Sequence, residues 1–333
     1  MQGEMGATLH TGDMSVDDLL QYAQEAERLG YEGFWLTEES GKEAFALLAL
    51  LARATARITL ATGILNYYSR TPTLLAMGAS TIYRLSGGRF ALGLGAGGVG
   101  FTVRGHGLEY ERPLARARET IAIVRGLLTS RRFSYDGEWF HVRDFHLREG
   151  PVDGPIPIYL SALNPRMVGV AAQVADGFIS NWPTEESVAE LRGIVAREAA
   201  KVGRDPGAVK LLTLMMTCPD PDDAAAVDAM RRGVAFYCAS KHYHHIGEIS
   251  GFGAEVQRVY EVWQTGDFAG ASRLVSDALV EKMTLTGSRA KCRAQLRGLL
   301  DAGVYPIIYP IPRRDRMVED HTAAIRIAAS YLE

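Results

Sequence analysis

The feature that most constrains this chain is a rhythm. Short aliphatic or β-branched runs alternate with longer segments of helical periodicity along 333 residues. Met5–Leu9 reads as a first strand, followed by a helix over Val16–Leu29 that Ser15 caps and Gly30 closes. Gly33–Thr37 is a second strand, leading to a helix over Glu43–Ala54. Arg57–Ile64 is a third, and Pro72 stands in the first turn of the helix that runs to Leu85. Arg89–Leu94 is the fourth, with a helix over Pro113–Thr129. Ile156–Ser161, Gly177–Ser180, Val209–Thr217 and Val304–Tyr309 continue the strands, and Pro165–Ala175, Glu185–Val202, Ser288–Ala302 and Met317–Tyr331 the helices.

Two stretches interrupt this beat. Arg132–Leu147 carries aromatic residues around Asp136-Gly137, the signature of a hairpin turn, and reads as an insertion between barrel units. Asp222–Met283 is mainly helical and longer than one unit requires. Eight strand–helix beats point to an α/β fold with a parallel sheet, either a closed (β/α)₈ TIM barrel or a doubly wound open sheet. No repeat or low-complexity linker divides the chain, so residues 1–333 are expected to form a single domain with an inserted hairpin and a helical excursion.

Bulk chemistry removes several function classes. A net charge of −3 with both signs dispersed offers no field for nucleic acid or an anionic membrane. No apolar run is long enough to span a bilayer, and Met1-Gln2-Gly3-Glu4 lacks the basic start of a secretory signal, so a cytoplasmic location is expected. Cys218, Cys238 and Cys292 are odd in number and far apart, which argues against a disulfide framework or a structural zinc site. Lys241-His242-Tyr243-His244-His245 lacks a carboxylate or cysteine at ligand spacing, so no metal site is expected. The elbow, phosphate-loop and zinc-helix signatures of common hydrolases and kinases are absent.

Three segments carry candidate chemistry. Leu92-Gly93-Leu94-Gly95-Ala96-Gly97-Gly98 leaves a strand through glycines that let backbone N–H groups approach a phosphate or a flat ring. It follows three earlier strands, whereas a dinucleotide fingerprint opens the first unit of its domain; a tight turn without ligand is the plain alternative. Ser161-Ala162-Leu163-Asn164-Pro165-Arg166 starts a helix and reads either as an anion site with Arg166 nearby or as a cap at Asn164. Glu38-Glu39 ends the second strand, where barrel enzymes collect catalytic groups, and strand alternation aims only one of the two inward.

Taken with Gly33-Phe34-Trp35-Leu36-Thr37-Glu38, Thr62-Gly63-Ile64-Leu65-Asn66-Tyr67, Arg70-Thr71-Pro72, Ser86–Gly97, Ala175-Asp176-Gly177-Phe178 and Ala235–Ser240, the ordered set resembles the luciferase-like monooxygenase superfamily. The likeness is to its F420-dependent oxidoreductase branch, which includes methylenetetrahydromethanopterin reductase. This favours the barrel and implies a deazaflavin, or FMN in the alternative, lying in its mouth. The family's non-proline cis peptide matches Gly63–Ile64, a backstop for one face of the ring. By the same resemblance Gly95, Ala96, Gly97 and Gly98, with Ser161, Ala162, Leu163 and Asn164, supply donors to the phosphate and polar chain, and Arg166 adds to them. Thr62 and Asn66 adjoin the ring, and Glu38 and Glu39 are the catalytic candidates.

Some relatives carry Asp-His in place of Glu38-Glu39 and Glu in place of Gly98, so their acid–base machinery does not transfer. Thr8, His10 and Trp182 stand near strand ends as substrate-side candidates. The expected activity is hydride transfer between coenzyme F420 and a small organic substrate. Its alternatives are an FMN monooxygenase fed by a partner reductase and a non-catalytic flavin- or deazaflavin-binding barrel. The resemblance also implies a homodimer.

Overall fold

The strand runs of the computed structural model hydrogen-bond in chain order and close on themselves. Residues 5–9, 11, 14–38, 40–313 and 316–329 are described. Eight strands form the ring: β1 (Gly6–Leu9), β2 (Gly33–Leu36), β3 (Thr59–Thr62), β4 (Phe90–Gly95), β5 (Ile158–Ser161), β6 (Gly177–Asn181), β7 (Lys210–Pro219) and β8 (Tyr305–Pro310). All neighbours are parallel, and the pairings of β8 with both β7 and β1 complete the circuit. This is a (β/α)₈ barrel, and the open sheet is ruled out.

Alternation decides which side chains fill it. In β2, Phe34 and Leu36 pack outward beneath the helices, while Trp35 points inward. The interior holds Trp35, Ala61, Ala91, Tyr159, Ile179, Leu212 and Ile307. Glycine makes room for the indole, since a Cβ on Gly6 would lie 2.5 Å from Trp35. Outside, the helices bury a continuous aliphatic core including Leu19, Leu48, Leu51, Leu75 and Val124.

Helix boundaries follow local chemistry. Ser15 accepts from the Asp18 N–H at the start of Val16–Arg28, and Gly30 takes the left-handed φ of 86° that ends it. Thr71 caps Pro72–Leu85, and Thr184 with Ser187 forms a reciprocal capping box on Glu185–Ala200.

The inserted hairpin pairs Phe133–Asp136 with His141–Phe145 antiparallel. It is pinned by Glu119, whose carboxylate accepts N–H bonds from Glu138, Trp139 and Phe140 at 2.8–3.1 Å. The excursion comprises helices Asp223–Cys238, His244–Ile249, Gly253–Gln264, Phe268–Leu274 and Asp277–Met283, after which Leu285–Gly287 returns beside β7. Strand three differs from expectation. Its ladder stops at Thr62, Gly63–Ile64 is cis, and Leu65–Asn66 then pairs separately with the end of β4.

Candidate active site

The C-terminal ends of the strands open into a cavity of about 910 Å³. Ile64, Asn66, Gly97 and Gly98 line one side, and Phe236, Tyr237, Trp263 and Phe268 the other. Glu38, Met216, Arg232 and Tyr309 also face it.

Close glycine contacts draw the first side together. Gly93 exchanges two 2.8 Å hydrogen bonds with the Thr62 hydroxyl, so that hydroxyl is spent on the barrel wall. A Cβ on Gly95 would lie 2.7 Å from Ile64 and 3.1 Å from Ser161, which brings the segments after β3, β4 and β5 to one point. Asn66 donates to Thr102 Oγ1 at 2.9 Å and accepts from the Tyr68 N–H at 2.7 Å, and Thr102 donates on to the Ala96 carbonyl at 3.1 Å. This relay fastens the glycine loop over the β3 segment. Gly97 has φ +67°, and a Cβ there would lie 2.7 Å from Asn66 Nδ2.

The expected anion segment has a divided role. Asn164 Oδ1 accepts from the Met167 N–H at 3.0 Å, so its side chain is the helix cap. The Gly97, Gly98, Leu163 and Asn164 N–H groups donate to no other described residue. Beside Gly98 a Cβ would meet nothing within 4 Å, so this backbone is open to approach. Ala162 is buried, and Arg166 is exposed in the first helical turn.

Glu38 reaches the cavity, yet both of its oxygens are held. Arg70 forks onto them at 2.5 and 2.7 Å, and the Ala44 N–H adds a bond at 3.1 Å. Arg70 also bonds Glu43 at 2.6 Å, which anchors the β2 loop to the segment before Thr71. In this arrangement Glu38 anchors the loop, with one bond on Oε1 and two on Oε2, and it still lines the cavity. Glu39 and His10 lie outside the described residues.

The weaker candidates are placed away from the opening. Thr8 is fully buried opposite Trp35, and Trp182 is fully buried behind Tyr237 and Tyr243 at 6.0 and 5.1 Å between rings. Asn181, which the sequence did not single out, accepts from the Trp182 N–H and receives the residue into this aromatic stack at φ +55°. Burial pushes the Cys218 thiol up to about 11 and those of Cys238 and Cys292 to about 12, which suits inert packing more than nucleophilic work. His245 bonds Glu190 at 3.0 Å, and among the described residues no group of three or more side chains could hold a metal ion. Nor is any described helix long and apolar enough to cross a membrane.

Sequence reasoning missed Arg70 as the partner of Glu38, Thr102 as the link in the loop, and Trp263 and Phe268 on the aromatic side. Only the Arg70-Thr71-Pro72 run carried a trace of the first. Phe236 and Tyr237 lay in the Ala235–Ser240 run that carries the resemblance, whereas Trp263 and Phe268 were legible only as part of a mainly helical stretch.

The luciferase-like monooxygenase family profile matches residues 1–305. The chain is 29% identical over 306 residues to 5,10-methylenetetrahydromethanopterin reductase of Archaeoglobus fulgidus, covering 90% of this chain and 91% of that one. It is 30% identical over 305 residues to the same enzyme of Methanolobus tindarius, covering 88% and 90%. Among solved structures, the coenzyme F420-dependent tetrahydromethanopterin reductase of Methanopyrus kandleri superposes with a TM-score of 0.86 at 23% identity, covering 99% of this chain and 98% of that one. An FMN-bound Baeyer–Villiger monooxygenase component from Pseudomonas putida superposes at 0.72 with 16% identity, covering 100% and 98%. A barrel closed in this order, with the glycine loop, the cis Gly63–Ile64 bond and a match of this extent, belongs to the luciferase-like monooxygenase family.

Proposed function

We propose that the protein is an oxidoreductase that uses coenzyme F420 to reduce or oxidise a small organic metabolite. The observation that carries this reading is one cavity with two unlike sides, a glycine-lined one beside Ile64 and an aromatic one across from it. The first side suits a flat ring with an anionic chain. Gly98 is open, four backbone N–H groups are free among the described residues, and the cavity volume of about 910 Å³ is at the upper end for small-molecule sites.

When bound there, a reduced deazaflavin supplies a hydride. The chain supplies position. Ile64 would back one face of the ring and the Gly97 and Gly98 N–H groups would receive the phosphate, while Leu163, Asn164 and Arg166, which do not line the cavity, would be met only by a polar chain that extends beyond it. Gly95 packs against Ile64 and Ser161 and would support that cradle from behind, as would Ala96 and Ala162, none of which lines the cavity. Glu38 holds the rim through Arg70. The excursion supplies the aromatic residues that would meet the substrate.

The full-length likeness to two reductases favours F420 over FMN. Titration of the purified chain with F420, read by the coenzyme's own fluorescence, and with FMN tests this. F420 should bind at least about tenfold tighter, a difference of about 1.4 kcal/mol. The reverse order would make the protein a monooxygenase that requires a partner reductase, and F420 binding without turnover on any substrate would make it a non-catalytic carrier. We further read the protein as a cytoplasmic homodimer. Its three buried cysteines are unpaired, and Leu50, Leu74 and Met77 stand about half exposed on the adjacent helices Ala44–Ala54 and Pro72–Leu85. Sedimentation of Leu74→Glu should give a monomer, and an unchanged mass would remove that surface from the reading.

A further inference from the structure

The side of the cavity facing the proposed coenzyme is unusual in its chemistry. It comes almost wholly from the excursion, and its rings touch in series. Tyr237 meets Phe236 at 5.7 Å, Phe236 meets Trp263 at 6.0 Å, and Trp263 meets Phe268 at 4.7 Å between centroids. Phe236 is 62% and Phe268 48% exposed, so the series leaves a contiguous apolar surface uncovered. One turn before it, Gly233 lets the Met216 side chain pack close to the helix, since a Cβ there would lie 2.8 Å from Met216.

Charge completes the picture. Among the described residues, two formally charged side chains line this cavity, Glu38 and Arg232. Glu38 is matched by Arg70. Arg232 has no ion pair or hydrogen bond among the described residues. Its neighbour Arg231 is by contrast engaged with Asp228, Asp277 and the Val275 carbonyl. Arg232 and Phe268 also line a second cavity of about 610 Å³ together with Arg231, Arg273, Asp228 and Asp267, so Arg232 borders both spaces. Arg232 is exposed, and its guanidinium matches carboxylate or phosphate with two parallel bonds.

We propose that the substrate is an organic anion. Its planar, largely apolar body stacks on Phe236, Trp263 and Phe268, and its carboxylate or phosphate is held by Arg232. This rests on the reading above, in which the coenzyme occupies the Ile64 and glycine side and leaves the aromatic side to substrate. The coenzyme's own anionic chain is the other source of the same chemistry, and the test separates the two.

Equilibrium dialysis of the full chain without coenzyme uses cinnamate and methyl cinnamate, a planar conjugated body with and without the charge. Cinnamate should bind about tenfold tighter, and Arg232→Gln should bring the two within about twofold, whereas Arg232→Lys should retain part of the preference. Phe236→Ala should weaken both compounds by about threefold or more. F420 affinity, measured separately by fluorescence, should stay within about twofold of wild type in Arg232→Gln. Equal binding of the two probes to the wild type, no binding of either, or a preference that survives Arg232→Gln overturns the proposal. So does a loss of F420 affinity in Arg232→Gln, which would give the guanidinium to the coenzyme. A wild-type chain that prefers cinnamate but binds no F420 keeps the anion site and removes the coenzyme reading instead.

Discussion

Along one side of the cavity the chain packs backbone against backbone; along the other it packs ring against ring. On the barrel side, Gly93 lies so close to β3 that an added Cβ would sit 1.9 Å from the Thr62 carbonyl oxygen, and Gly95 leaves a similar gap for Ile64. On the excursion side, Phe236, Trp263 and Phe268 meet at 4.7–6.0 Å, and Phe236 and Phe268 stand exposed. The difference teaches where tolerance lies. A backbone contact cannot yield without moving a strand, whereas a half-exposed ring can be exchanged at little cost to the fold. One side is built to hold a fixed shape, and the other can change side chains without moving the backbone.

The largest expected effect is therefore on the barrel side. Gly93→Ala should cost more than about 3 kcal/mol, because the Cβ strikes a carbonyl inside the barrel wall. Urea unfolding measures it, and a loss below about 1 kcal/mol would show that this side is softer than its contacts suggest. Next comes Arg70→Gln, which leaves Glu38 without its fork in a site where the two side chains are 12% and 10% exposed. The expected loss is about 2 kcal/mol, with weaker F420 binding. A variant as stable as wild type would make the ion pair incidental.

A smaller effect is tied to pH. Arg313 pairs with Asp320 at 2.8–2.9 Å and with Asp220 at 2.8 Å, clamping the rim segment that carries Ile311 and Pro312 into the cavity lining. Burial alone would raise the Asp320 carboxyl, but the Arg313 guanidinium and N–H outweigh it and hold it below the ordinary range. A depressed carboxyl stabilises the fold above the unfolded value of about 3.9 and loses that contribution as pH falls through the folded one. The thermal midpoint of wild type should thus exceed that of Asp320→Asn at pH 6 and approach it toward pH 3. A gap that is constant with pH would show that packing, not charge, sets the clamp. The smallest stability change is expected for Phe236→Ala, within about 0.5 kcal/mol, with the effect appearing in ligand affinity instead. A large loss of stability there would erase the contrast between the two sides.

Much of the fold was legible because its signals are local. The Ser15 cap, the Pro72 start, the Asp136-Gly137 turn and the hydrophobic beat of the strands each act within a few residues. Strand three was read too long because periodicity continues through Thr62-Gly63-Ile64, while the ladder ends at the cis bond and resumes on another partner. In the site, Gly95–Gly98 was legible since glycine is needed wherever backbones meet closely. The pairing of Glu38 with Arg70 was not, for 32 residues separate them and no spacing rule joins a strand end to a later loop.

By itself, the sequence determined the alternating strands and helices, the helix ends, the hairpin and the glycine-lined loop, since each depends on the preferences of neighbouring residues. Only the tertiary structure decided that the sheet closes, that Glu38 is an anchor, and that Trp182 lies buried while Phe236 and Arg232 face the cavity. Those outcomes depend on which distant surfaces meet. A side chain's chemistry is local, but its solvent, its charge partner and its neighbours are supplied by the rest of the chain.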